Sequence, residues 1–196
     1  MTKKRAGIAL VMIGAVLLIA ALLLFVYNRN EDSRAGEEAA DILSEVQTAI
    51  DEGNKEVIDE TQEQKIMPTV HINGYDYIGY LNITDLGLEL PVMADWDYNR
   101  LKRAPCRHFG TTYNDDLVIA AHNYKKHFGL IDTLPMGSEV TFTDMDGIVN
   151  RYAVREIIER NPNEVAEVRD SQWDLILYTC TYGGKVRIVV GCERVN

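Results

Sequence analysis

Cys180 closes an apolar run, Trp173-Asp-Leu-Ile-Leu-Tyr-Thr-Cys180, and a short polar turn, Thr181-Tyr-Gly-Gly-Lys185, separates it from a second run, Val186-Arg-Ile-Val-Val190. A turn of that length holds Cys180 and Arg187 side by side, a nucleophile next to a fixed positive charge. Upstream, Asp116-Leu-Val-Ile-Ala-Ala121 ends at His122 and Asn123. A cysteine, a histidine and an arginine at three strand ends can form one acyl-transfer site. The thiolate attacks a carbonyl, the imidazole moves protons for thiol and leaving amine, and the guanidinium steadies substrate or oxyanion.

Each of these residues has rivals. His71, His108 and His127 compete with His122 as the base; His127 is nearest, in Lys125-Lys-His-Phe128, which reads as a solvated helix start. Arg155 and Arg194 compete with Arg187, but only Arg187 faces the cysteine across a short turn; Lys185 reads as a loop charge. Tyr182, Asn123 and Tyr124 flank the site and can shape a peptide groove, or can simply pack.

The elements that must position this set begin after Pro68. Short β-like runs cover 77–83, 88–92, 117–121, 139–142, 151–158, 175–179 and 186–190, with Asp146-Gly147 as a hairpin signal between two of them. The expected fold class is mainly β, one barrel or sandwich with short helical pieces at 98–104 and 128–134 and another starting at Asn161. Before it, Ala39, Ile42, Leu43, Val46, Ala49 and Ile50 recur at helical spacing, with Gly53 as a stop. Residues 51–68 read as a linker or a fraying continuation of that helix.

The first residues set the compartment. Lys3-Lys-Arg5 precedes an uncharged apolar stretch from Ala6 to Val26, close to the ~20 residues that span a bilayer. It is longer than the roughly 7–15 residues of a signal-peptide core, and Phe25, Val26, Tyr27 and Asn28 stand where a small-x-small cleavage site would. The basic cluster before it and Glu31-Asp32 after it predict a single-pass anchor, N-terminus cytoplasmic and the domain outside. The expected organisation is 1–28 tip and anchor, 29–68 amphipathic helix and linker, 69–196 catalytic β domain.

The chain's 196 residues carry a net charge of −10, with no basic surface of the kind that nucleic acid requires. Three cysteines are too few for a disulfide scaffold, and an odd number leaves at least one thiol unpaired. Cys106 and Cys192 can be buried and inert, or can pair. No CxxC or HxxxH spacing supports a metal site. No cofactor is expected from these residues.

These residues resemble the sortases, membrane-anchored cysteine transpeptidases of Gram-positive bacteria. The family's TLxTC strand is matched by Ile176-Leu-Tyr-Thr-Cys180, its GHN segment by Ala121-His-Asn123, and its arginine by Arg187, over roughly residues 69 to 196. Ile176 replaces a strand-interior threonine with another β-branched residue. Ala121 replaces glycine, which asks only that the backbone there suit a Cβ. The resemblance implies that Cys180 attacks the threonine carbonyl of an LPxTG-like sorting signal and that an amine resolves the thioacyl enzyme. His122 would serve both half-reactions, Arg187 the substrate backbone or oxyanion, and Thr179 the oxyanion or substrate from beside the nucleophile.

It also implies a single β-barrel over 69–196, calcium as the alternative to no cofactor, through Asp144, Asp146, Glu164 and Glu167, and partners: surface proteins bearing a C-terminal sorting signal, the amine of a cell-wall peptidoglycan precursor, and the membrane. Pilin-type members usually carry an Asp-Pro-aromatic lid and a second anchor; this chain has no Asp-Pro pair and no apolar tail before Asn196. Attachment of surface proteins is therefore expected rather than pilus assembly. The connection from Glu159 to Gln172 is shorter than the class B insertion, whereas the helix before the barrel is like class B, so the class stays open. Two other readings use the same residues: a secreted cysteine peptidase that resolves its acyl-enzyme with water, and a non-catalytic anchored β-barrel binding module.

Overall fold

The computed structural model describes residues 2–53, 66–164, 172–181 and 183–196. The chain divides into two compact units, Met1–Arg34 and Ala35–Asn196. One helix, α1 (Thr2–Glu52), supplies all of the described part of the first unit and opens the second. In the first unit the apolar side chains from Ile8 to Tyr27 are exposed, and the helix is long and apolar enough to cross a membrane by length and composition.

Within the second unit, α1 buries one stripe: Ala35, Ala39, Ile42, Val46 and Ala49. This is the face that the helical spacing predicts. Its first residues are small where the chain comes close: a Cβ on Gly36 would stand 2.9 Å from Cγ of Lys126. Glu38 pairs with Arg103 at 2.6 Å, and Gly53 ends the helix in the left-handed region. Residues 54–65 of the expected linker lie outside the described residues.

Among the described residues nine strands come after the helix: β1 (Val70–Ile72), β2 (Tyr75–Ile83), β3 (Leu88–Met93), β4 (Cys106–Phe109), β5 (Leu117–Ala120), β6 (Glu139–Asp144), β7 (Val149–Arg160), β8 (Leu175–Cys180) and β9 (Arg187–Arg194). They form one sheet in the order β1-β2-β3-β4-β5-β8-β9-β7-β6. A further pairing of β2 with β6, from Gly79↔Asp144 to Ile83↔Val140, closes eight of them into a barrel. The predicted runs all appear. Two strands carry too weak a pattern to be foreseen: β1 is three residues long, and β4, Cys-Arg-His-Phe, is short and polar. The expected helical pieces at 98–104 and 128–134 shrink to single 3-10 turns at Arg100–Lys102 and Ile131–Thr133; the piece expected from Asn161 shows a 3-10 turn at Pro162–Glu164, and residues 165–171 lie outside the described residues.

Leu117, Ile119, Leu175, Leu177, Val190 and Cys192 point inward, in one core with Leu81, Val92, Phe142 and Tyr152. Their neighbours Val118, Ala120, Ile176, Tyr178 and Val189 face outward, into a second core with Ile42, Val46 and Ala49 of α1. Strands β5 and β8 are therefore buried on both faces. They read as unbroken apolar runs because, as in parallel sheets generally, neither side meets water. Cys106 lies in the outer core and Cys192 in the inner one, and both are buried free thiols, not a pair.

Closure of the barrel depends on Gly79, which has φ +139° at a bulge in β2; a Cβ there would stand 2.0 Å from the Thr143 carbonyl oxygen. That oxygen belongs to the paired backbone of β6 and has nowhere to go. Gly79→Ala should cost about 3 kcal/mol, and thermal unfolding should show a midpoint lower by roughly 6–12 °C. An unchanged midpoint would mean that β2 and β6 do not approach this closely.

Candidate active site

Cys180 ends β8, and Arg187 opens β9 directly opposite it in the antiparallel ladder. Side chains of directly opposed residues share a face, so thiol and guanidinium lie on the outer side of the barrel together. The intervening turn is tied by Thr181, whose N–H donates to Val186 O at 3.0 Å and whose carbonyl accepts from Gly184 N at 2.8 Å. Arg187 Nη1 donates to Gly184 O at 3.1 Å, which anchors one arm of the fork to the turn. Tyr182 lies outside the described residues.

The histidine arrives from the other side of β8. Strands β5 and β8 run parallel with Ala120 level with Tyr178, and the Ala121 N–H continues the ladder to Tyr178 O at 3.1 Å. That register, carried on, sets His122 level with Cys180 on the neighbouring strand, where strands stand about 4.8 Å apart. From Ala120 outward, the period of two also puts His122 on the outer face. Order across the sheet is thus His122, Cys180, Arg187, each half-buried.

The loop after His122 holds its ring. Tyr124 stacks on it at 4.4 Å with the planes 11° apart, and Tyr98 tilts towards it at 6.4 Å. Nδ1 of His122 is 3.1 Å from Asn123 Oδ1 and 3.2 Å from the Asn123 N–H. A neutral Nδ1 can accept from the N–H; once the ring is charged, Nδ1–H can donate to Oδ1. Both arrangements engage Nδ1 and not Nε2. Asn123 and Tyr124 thus contact the histidine itself, where sequence suggested groove residues.

Thr179 lies beside Cys180 on β8; its side chain is 4% exposed and donates its hydroxyl to Ala121 O at 2.9 Å. It ties the strand of the cysteine to the residue before the histidine. His127 departs from the solvated helix start: it is fully buried, edge-on to Tyr124 at 5.5 Å, in a loop rather than a helix. Of the other rivals, His71 bonds Asp76 in the β1–β2 hairpin at 2.6 Å. Arg155 bonds Glu193 at 2.8 Å, and Arg194 gathers Asp115, Asn150 and the Thr112 carbonyl at the far end of β9.

Aromatic residues that the motifs did not point to stand beside this set. Trp96 and Tyr98, 43% and 61% exposed, lie in the segment after β3, and His108 of β4 bonds Tyr178. Exposed rings in a polar stretch, Ala94-Asp-Trp-Asp-Tyr98, were the signal available for the first two. Among the described residues no cluster of three His, Cys, Asp or Glu could hold a metal ion. Asp144 Oδ1 accepts from the N–H groups of Asp146 and Ile148 in the β6–β7 turn, and Glu164 bonds Asn161; Glu167 lies outside the described residues.

Comparison with known proteins gives a consistent result. A family model described as Sortase domain matches residues 81–195, more than half of the chain. Among solved structures, sortase C from Clostridium perfringens SM101 matches with 22% identity and TM-score 0.55, over 82% of this chain and 90% of that one. Streptococcus pneumoniae sortase C matches with 20% identity and TM-score 0.55, over 86% and 95%, and a Clostridium perfringens sortase D5 transpeptidase with 18% and 0.54, over 85% and 99%. At these identities the likeness is one of fold. No curated protein matches the chain.

Burial separates the three thiols. It pushes Cys106 and Cys192 up to about 12, whereas Cys180 is half-buried at a strand end. Iodoacetamide at pH 8 should therefore add one equivalent to the folded chain, on Cys180, and three to the unfolded chain. Early labelling of Cys106 or Cys192, read by peptide mapping, would contradict the two-core packing.

Proposed function

Since the chain belongs to the sortase family, we propose that it is a membrane-anchored cysteine transpeptidase whose site is Cys180, His122 and Arg187. The observation that supports this most directly is the Cys180↔Arg187 pair, with His122 two residues beyond the Ala120↔Tyr178 pair of the adjoining parallel strand. In the first half-reaction Sγ of Cys180 bonds to the carbonyl carbon of the scissile peptide. The C–N bond breaks, and the His122 imidazolium gives its proton to the departing amine. Arg187, still carrying donors beyond the Nη1 that the turn holds, hydrogen-bonds the developing oxyanion or the substrate backbone.

In the second half-reaction an amine attacks the thioester, His122 takes its proton, and the C–S bond breaks to regenerate the thiolate. Asn123 Oδ1 and the Tyr124 ring keep the imidazole oriented through both charge states. The proposed donor is a protein bearing a C-terminal LPxTG-like sorting signal, and the acceptor a cell-wall precursor amine. A Clostridium perfringens sortase C structure with the C-terminal cell wall sorting motif supports a donor of this kind. The apolar helix from Gly7 would anchor the chain, with Lys3-Lys-Arg5 kept inside and the barrel outside.

The test uses the full chain in detergent, a panel of sorting-signal peptides with and without amine acceptors, and intact-mass spectrometry. A thioacyl mass on Cys180 that an amine converts to ligated product is expected, with none in Cys180→Ala. His122→Ala and Arg187→Ala should each lower turnover by about 10²–10³-fold, and Arg187→Lys should recover little of it, because an ammonium lacks the planar fork. An adduct that only water resolves would point to a peptidase. No adduct from any peptide, with Cys180 inert to alkylation, would point to a binding module.

A further inference from the structure

His108 stands at a bulge. Around it the β4–β5 register runs Arg107↔Ile119 and then Phe109↔Val118, so His108 is the extra residue of β4. A bulge re-aims a side chain and breaks the alternation of faces. Here it leaves His108 and Phe109 adjacent and stacked, with ring centroids 3.8 Å apart, and Trp96 tilts over the imidazole at 5.1 Å. From this position Nδ1 of His108 meets the hydroxyl of Tyr178 at 2.7 Å.

That bond crosses a whole strand. The order is β4-β5-β8, and the residue of β5 level with Tyr178 is Ala120, which pairs with Cys106 on one side and Tyr178 on the other. Ala120 is the small side chain over which the tyrosine reaches. Tyr178 precedes Cys180 by two residues and so shares its face. The residue between them, Thr179, is tied on the opposite face to Ala121 O. The last turn of strand before the nucleophile is therefore held from both sides, inward by Thr179 and outward by Tyr178.

We propose that His108 is a positioning residue for Cys180: from the β4 bulge it accepts the Tyr178 hydroxyl across Ala120 and fixes the end of β8 beside His122. It is not the acid or base, although it bonds the strand of the nucleophile. Burial holds the Tyr178 phenol protonated, well above its ordinary range, so the phenol is the donor and Nδ1 the acceptor. Burial also lowers the His108 pKa, and the rings against it, Trp96, Phe109 and Tyr178, carry no formal charge. The imidazole is neutral with its proton on Nε2, a state suited to holding a hydroxyl and not to cycling a proton.

The kinetic part rests on the transpeptidase reading; the spectroscopic part does not. In full-length chain with ¹⁵N-labelled histidine, His108 should show an unprotonated, hydrogen-bonded Nδ1 and a protonated Nε2 at neutral pH, and Tyr178→Phe should shift Nδ1 towards the free-acceptor value. With peptide and amine, His108→Ala and Tyr178→Phe should each lower kcat roughly 10-fold to 100-fold with KM little changed. The double variant should be no worse than either, because both remove one bond. His108→Gln, whose amide oxygen can accept, should recover most of the loss, and the acid limb of the pH profile should stay where wild type has it. A proton on Nδ1, additive losses, a vanished acid limb, or His108→Ala turning over like wild type would each overturn the assignment. Absence of any thioacyl enzyme in wild type would instead sink the transpeptidase reading, and the ¹⁵N spectra would still decide whether His108 holds Tyr178.

Discussion

Two strands that run the same way deliver their C-terminal neighbours to the same edge of a sheet. In this chain those strands are β5 and β8, in register from Leu117↔Leu175 to Ala120↔Tyr178, and they lead to His122 and Cys180. Had the pair been antiparallel, the histidine and cysteine would stand at opposite ends of the barrel. A parallel pair needs a long crossover, here everything from His122 to Asp174, and it survives in water only when both faces are covered. The barrel interior covers one face, and the core shared with Ile42, Val46 and Ala49 of α1 covers the other.

From that pairing the rest of the site is built by short steps. A hairpin after Cys180 returns the chain antiparallel and puts Arg187 opposite it. The alternation of faces sends Cys180, Arg187 and His122 outward, while Thr179 turns inward and cross-links the two strands through Ala121 O. The outer face is where α1 packs, so one helix both completes the second core and borders the loop after His122, with Gly36 against the stem of Lys126. Charge is distributed by the same geometry: the guanidinium lies on the β9 side of the thiol, the aromatic rings of Trp96, Tyr98 and His108 on the β4 side.

How much of this is legible in the amino-acid sequence depends on where each signal resides. Strands β5 and β8 announce themselves because double burial makes an unbroken apolar run. The helical stripe of α1 is equally plain, since Ala39, Ile42, Val46 and Ala49 repeat at 3.6 residues. Strand β4 is not legible: four residues with a bulge at His108 have no period to detect. Thr179 suggests a substrate role by its place beside the nucleophile; that its hydroxyl also bonds the Ala121 carbonyl is not legible, because the two lie on different strands. His127 looks solvated beside two lysines, but the loop folds back so that it and Phe128 are fully buried while Lys125 and Lys126 remain outside.

Residue types that can do acyl-transfer chemistry, the pairing of Cys180 with Arg187, and the apolar character of the strands that carry them are all written in the chain. These are local properties, set by periods of two and 3.6 and by a turn too short to allow another partner. That His122 stands level with Cys180, that Thr179 is a tie between strands, and that His108 reaches Tyr178 over Ala120 are settled by the folded barrel alone. Those relations join residues 58 to 70 positions apart. They exist only once the sheet has closed and its register is set, because strand pairing at long range is a property of the whole barrel and of no segment within it.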